Sequence, residues 1–147
     1  MPQPREQRAL SALRVVVAGL LFVHGVARVS LGIVDDFGVF LTAVGIPLGA
    51  AVAWGATLFE LVGGAVLASG RWVRPIAAVF TVELLAGIAL VHGPEGWFVV
   101  GAGRNGMEYS VLLIVALAAL AYADRSNAAV AATVVEGEVG GLDGGEA

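Results

Sequence analysis

The sequence predicts an all-α fold of the membrane class. We read it as a polytopic four-helix bundle with both termini cytoplasmic and a short interfacial helix between the first and second spans. Three observations lead there. First, 59% of the 147 residues are hydrophobic and only 14% are charged, against roughly 25% charged in soluble domains; the mean hydropathy is +0.90. Second, the apolar residues gather into four runs: Leu10–Ser30, Pro47–Ser69, Trp72–Val91 and Met107–Ala123. Each suits a tilted helix crossing roughly 30 Å of hydrocarbon. Third, the arginines divide unequally between the two ends of those runs, which sets an orientation.

The polar N-terminus, residues 1–9, lacks a small-residue cleavage site after a short apolar core. The first run therefore reads as a retained signal-anchor helix and not as a removable signal peptide. Its ionisable residues are Arg14, His24 and Arg28. The connection "LGIVDDFGVFLTAVGIP" is long enough for a helix Phe37–Val44, capped by Asp35 or Asp36 and lying along the membrane surface. Pro47 then opens the second run, which carries Glu60. In "SGRWVRP", Gly70 suits a helix end and Pro75 the first turn of the next helix. The third run carries Glu83. Trp97 and Phe98 in the following loop suit a membrane interface, and Glu108 opens the fourth run. Residues 124–147 read as a disordered acidic cytoplasmic tail.

With the N-terminus inside, Arg5, Arg8, Arg14, Arg71, Arg74 and Arg125 are cytoplasmic, and Arg28 and Arg104 are outside. The net charge of −4 belongs to the tail: Glu136, Glu138, Asp143 and Glu146 follow a segment whose eight arginines balance eight acids. No basic patch points to nucleic acid. The chain has no cysteine, so disulfide relays, thiolate metal sites and CxxC chemistry are excluded. His24, His92 and Glu108 have no spacing that supports a metal or haem site. No intrinsic cofactor is expected.

Counting depth at 1.5 Å per residue sorts the remaining ionisable residues into two layers. His24, Arg28, His92 and Glu108 fall near the outer surface and form a candidate binding pocket. Within it, Arg28 and Glu108 make the natural ion pair. Glu60 and Glu83 fall near the midplane, where two carboxyls at one depth could share a proton and Arg14 could reach Glu60. Gly25, Gly63, Gly64 and Gly87 flank these residues and would let helices approach closely. Glu83 and His92 lie nine positions apart, about 180° on an ideal helix, so a straight helix cannot aim both inward.

Several ordered pieces resemble the DoxX family: "RVVVAGLLFVHGVAR", "FLTAVGIP", "ELVGGAVLASGRWVRPIA", "LVHGPEGWF" and "GMEYSVLL". Together they run from Leu13 to Ala123. The family pattern maps onto Arg14, His24, Gly25, Arg28, Glu60, Gly63, Gly64, Gly70, His92, Gly96 and Glu108. Two features depart from it: the ending "AYADRSN" replaces a Gly-rich segment, and Glu83 stands where relatives carry an apolar residue. The resemblance implies a four-helix protein of a bacterial or archaeal plasma membrane. It also implies a link to oxidoreductases, since the family takes its name from a subunit of a thiosulfate:quinone oxidoreductase.

Three functions then compete. The protein is a membrane subunit of a quinone-linked oxidoreductase or of a redox or stress-response complex; a non-enzymatic scaffold that recruits soluble partners through the Arg71–Arg74 turn; or a small transporter or proton relay using Glu60 and Glu83. The expected partners are the bilayer and a soluble or membrane oxidoreductase subunit, with homo-oligomerisation open.

Overall fold

The computed structural model describes residues 4–101 and 103–124. The described chain is helical, with no strand among the described residues. Helix α1 spans Pro4–Ser30, α2 Val34–Ala43, α3 Gly49–Ala68 and α4 Val73–Gly87. Helix α4 runs on directly as a π-helical turn, Ile88–His92. The last helix, α5, is described over residues 108–124. The proposed tail lies outside the described residues from position 125 onward.

Among the described residues, three helical segments are long and apolar enough to cross a membrane: Pro4–Ser30, Gly49–Ala68 and Val73–His92. Only 22%, 33% and 11% of their most apolar windows are buried inside the protein. Most of their apolar surface therefore faces outward, where lipid and not protein covers it. A water-soluble helix would bury that face in a core.

The interior is narrow and contributed by four helices. Val17, Ala18 and Leu21 of α1 meet Leu67 of α3, Ala77 and Phe80 of α4, and Leu113, Leu117 and Leu120 of α5. Phe59 packs its ring on Phe80 with centroids 4.7 Å apart, within the range of favourable aromatic pairs. Helix α3 is central, since both α1 and α2 lie against it. A second small core joins Val34 and Leu41 of α2 to Ala53 of α3.

Small residues permit these close approaches. A Cβ on Gly25 would come 3.0 Å from the Thr57 carbonyl oxygen, and one on Gly64 would come 3.2 Å from that of Ala18. Both glycines sit in the α1–α3 seam. Gly63 and Gly87 do not share that role. Gly63 faces the Phe59 ring of its own helix, and Gly87 faces the His92 ring at ordinary contact distance. The seam between α2 and α3 uses two glycines that the sequence reading did not single out. Gly38 lies against the Ala50 backbone, and Gly49 against Thr42 and the Gly38 carbonyl.

Two details of the connections differ from expectation. Helix α2 begins at Val34, with Ile33 at the N-cap and no side-chain cap. Asp35 thus lies inside the first turn, where its carboxylate still favours the positive helix end, and it accepts a hydrogen bond from Trp54 Nε1 at 3.2 Å. Helix α3 begins at Gly49 and not at Pro47, with Leu48 held at φ 56°. Gly70 takes φ +78° after α3, the left-handed conformation that glycine adopts at little cost.

Candidate functional site

The site begins with one arginine in the last turn of α1. A cation there favours the negative end of the helix. Arg28 reaches sideways to Glu60 of α3: Nη1 donates to Oε2 at 2.6 Å and Nη2 to Oε1 at 2.9 Å. Two parallel charge-assisted bonds form the fork that a guanidinium makes best. The same Nη1 lies 3.4 Å from Thr57 Oγ1. Thr57 and Glu60 sit three residues apart on one face of α3, and Gly25 lets α1 approach that face. The Phe37 ring of α2 lies below the guanidinium, 4.8 Å from centroid to Cζ, at cation–π range. One side chain thus ties three helices together.

This arrangement corrects the expected Arg28–Glu108 pair. Glu108 is used locally: its Oε1 accepts the Val99 backbone N–H at 2.9 Å. Backbone bonds from Met107 N to Gly96 O and from Glu108 N to Trp97 O close the same loop. The carboxylate satisfies the chain that enters α5 and does not line the cavity. Arg14 does not approach Glu60 either. Its guanidinium lies against Gly70, in the turn between α3 and α4.

The two layers expected from depth counting meet in one cavity of about 270 Å³. Its polar wall comprises His24, Arg28, Glu60, Glu83 and His92, with Asn105, Tyr109 and Ser110. Its apolar wall includes Leu21, Leu84 and Leu113. Depth counting placed each residue at its Cα. An arginine side chain spans more than a helical turn, so Arg28 meets a carboxylate rooted deeper in the bundle.

Glu83 and His92 share the cavity because the helix between them is not a regular α-helix. Gly93 N donates to Ile88 O at 2.7 Å, a bond that spans five residues and widens the turn. The widened turn rotates His92 toward Glu83, which a straight helix would prevent. His92 Nδ1 lies 2.8 Å from the Asn105 carbonyl oxygen. A carbonyl only accepts, so Nδ1 carries the proton and Nε2 is the nitrogen left for other partners. Glu83 Oε1 is buried without a hydrogen-bond partner, while its carboxyl interacts with that of Glu60 beside it. A buried orphan acceptor is costly, and here it opens onto a cavity. His24 lines the same space and stays otherwise exposed.

Thr57, Phe37, Tyr109 and Ser110 were not singled out in the sequence. Thr57 had a readable signal in its i, i+3 spacing from Glu60. Phe37 had none, because its contact with Arg28 depends on how α2 folds back. Among the described residues, no group of three or more His, Asp or Glu side chains is placed to hold a metal ion.

No match to the chain was found among curated proteins or among solved structures. The DoxX family profile matches residues 9–93, more than half of the 147-residue chain. That stretch contains His24, Arg28, Glu60, Glu83 and His92, and so carries most of the polar wall of the cavity. The protein is a membrane protein belonging to the DoxX family.

Proposed function

We propose that this protein is the membrane subunit of a quinone-linked oxidoreductase in a bacterial or archaeal plasma membrane. In this reading it is a four-span bundle with both termini in the cytoplasm. The observation that carries the proposal is the half-polar cavity of Arg28, Glu60, Glu83, His24 and His92. A quinone headgroup is an apolar ring bearing two oxygens, attached to a hydrocarbon tail. Its chemistry suits a cavity with one polar and one apolar wall in a bundle surrounded by lipid. The volume of about 270 Å³ lies just below the usual range of ligand pockets. It suits one ring, with the tail left in the bilayer.

The orphan oxygen of Glu83 supports the fit, since a quinol hydroxyl donating to it would satisfy it. Interconversion of quinone and quinol moves two electrons and two protons. In this reading Glu83 and His92 Nε2 exchange those protons. The Arg28–Glu60 fork holds a fixed charge pair beside them and orients Glu83 through the neighbouring Glu60. With no thiol in the chain, electrons pass to or from a partner subunit.

The test is direct binding. Full-length protein in nanodiscs is titrated with the quinol form of a short-tailed ubiquinone or menaquinone analogue, following quenching of its tryptophans. Saturable binding is expected, weakened about tenfold by Glu83→Gln, which amounts to the loss of one charge-assisted hydrogen bond. Absence of saturable binding in the parent protein would sink the proposal. The scaffold reading would replace it if partner capture survived His24, Arg28 and Glu60 substitutions but failed on replacing the Arg71–Arg74 turn.

A further inference from the structure

At the other end of the bundle a second cavity, of about 230 Å³, lies between α1, the start of α4 and the end of α5. Arg14 and Asp124 both line it. Arg14 precedes Arg28 by four helical turns, about 21 Å along α1, so the cavity sits near the opposite membrane face. The Arg14 guanidinium is held at the level of the α3–α4 turn, where a Cβ on Gly70 would come 2.9 Å from its Cζ. Its Nε is buried with no hydrogen-bond partner. Among the described residues, the side chains of Arg14 and Asp124 have no hydrogen-bond or ion-pair partner, not even each other. A cation and an anion therefore share one cavity unpaired.

We propose that this cavity binds a phosphoethanolamine group, with its phosphate on Arg14 and its ammonium on Asp124. The chemistry of the two walls selects it. A guanidinium fork matches phosphate oxygens, but a simple phosphate would face the Asp124 carboxylate unfavourably. A simple amine would face Arg14 unfavourably. A ligand carrying both signs satisfies both walls, and Gln7 and Ser11 add neutral hydrogen-bonding groups. Leu10, Val73 and Leu120 supply an apolar side, suited to the glycerol and first acyl carbons of a phospholipid. Pockets between membrane helices at the headgroup level are established sites for lipid headgroups.

The group has two possible sources, phosphatidylethanolamine in the bilayer or a soluble phosphoethanolamine. Full-length protein is placed in nanodiscs of equal parts phosphatidylethanolamine, phosphatidylglycerol and phosphatidylcholine, and the lipids it retains are identified by native mass spectrometry. Preferential retention of phosphatidylethanolamine is expected. Arg14→Gln should cut that retention about fivefold, and Arg14→Lys, which keeps the charge, should restore much of it. Asp124→Asn should abolish the preference over phosphatidylglycerol, a selectivity change that a merely structural role would not produce. Displacement by added soluble phosphoethanolamine would assign the site to the headgroup alone, and retention without displacement would assign it to the whole lipid. Equal retention of all three lipids would overturn the proposal. So would unchanged selectivity in Asp124→Asn, or a crosslink from position 11 to chain beyond Asp124 in place of lipid.

Discussion

At the scale of single residues, the Arg28–Glu60 fork dominates. Glu60 is nearly enclosed, with its side chain 6% exposed, while that of Arg28 is 20% exposed. Removing one partner of a buried pair leaves the other charge unsatisfied and costs about 3–5 kcal/mol. Glu60→Gln and Arg28→Ala should both fall toward that range in denaturant unfolding in detergent micelles. Arg28→Lys should cost less, because the charge survives and only the fork is lost. Replacing both residues with apolar side chains of similar size should recover much of the stability while removing the polar wall of the cavity. If either single variant unfolds like the parent, the pair is not a structural tie. Gly25→Val tests the seam beneath it. Even its first added carbon would lie 3.0 Å from the Thr57 carbonyl, and overpacking of this kind costs about 1–3 kcal/mol. The role of Gly25 was readable in the sequence, from a glycine beside polar residues on one face of an apolar helix. The partner of Arg28 was not. Its choice depends on side-chain reach and on the distance between helix axes, neither of which a linear depth count contains.

At the scale of elements, the π-helical turn Ile88–His92 decides whether the cavity has its second imidazole. The sequence shows His92 nine positions after Glu83 and followed by Gly93 and Pro94. Nothing in that pattern distinguishes a frayed α-helical end from a widened turn, because the difference is one hydrogen-bond register. Inserting one alanine after Ala89 should rotate His92 by about 100°, away from the cavity. The variant is expected to fold, since Ala89 is exposed and lies outside both cores. It should lose quinone-analogue binding as measured by tryptophan quenching. Binding equal to that of the parent would show that His92 plays no part. Helix α2 teaches a related lesson. Two adjacent aspartates before an apolar run read as a helix cap, yet the helix starts earlier and Asp35 bonds Trp54 instead. Local sequence suggested that an amphipathic helix exists there. The contact of Phe37 with Arg28 comes from packing against α1 and α3, which local sequence does not encode.

At the scale of the whole molecule, composition and apolar run length made the membrane class legible, because crossing hydrocarbon requires a length and a hydropathy that few soluble helices have. The charge layers were legible only as Cα depths, and side chains merged them into one cavity. Orientation rests on the same arginines. Arg5, Arg8, Arg14, Arg71 and Arg74 lie toward one end of the bundle, and Arg28 and Arg104 toward the other. Basic residues in short loops are retained on the cytoplasmic side, so the α3–α4 turn should face the cytoplasm. The absence of cysteine makes the test clean, because any introduced thiol is the chain's sole labelling site. Ser69 and Arg104 are both exposed and lie in opposite connections. In intact cells, a membrane-impermeant maleimide should label the Arg104→Cys chain and spare the Ser69→Cys chain until the cells are lysed. The opposite pattern would invert the molecule and place the Arg14 cavity in the outer leaflet. Labelling of both chains before lysis would mean that the two connections share one side, which is incompatible with α4 and its π-helical turn crossing the bilayer between them.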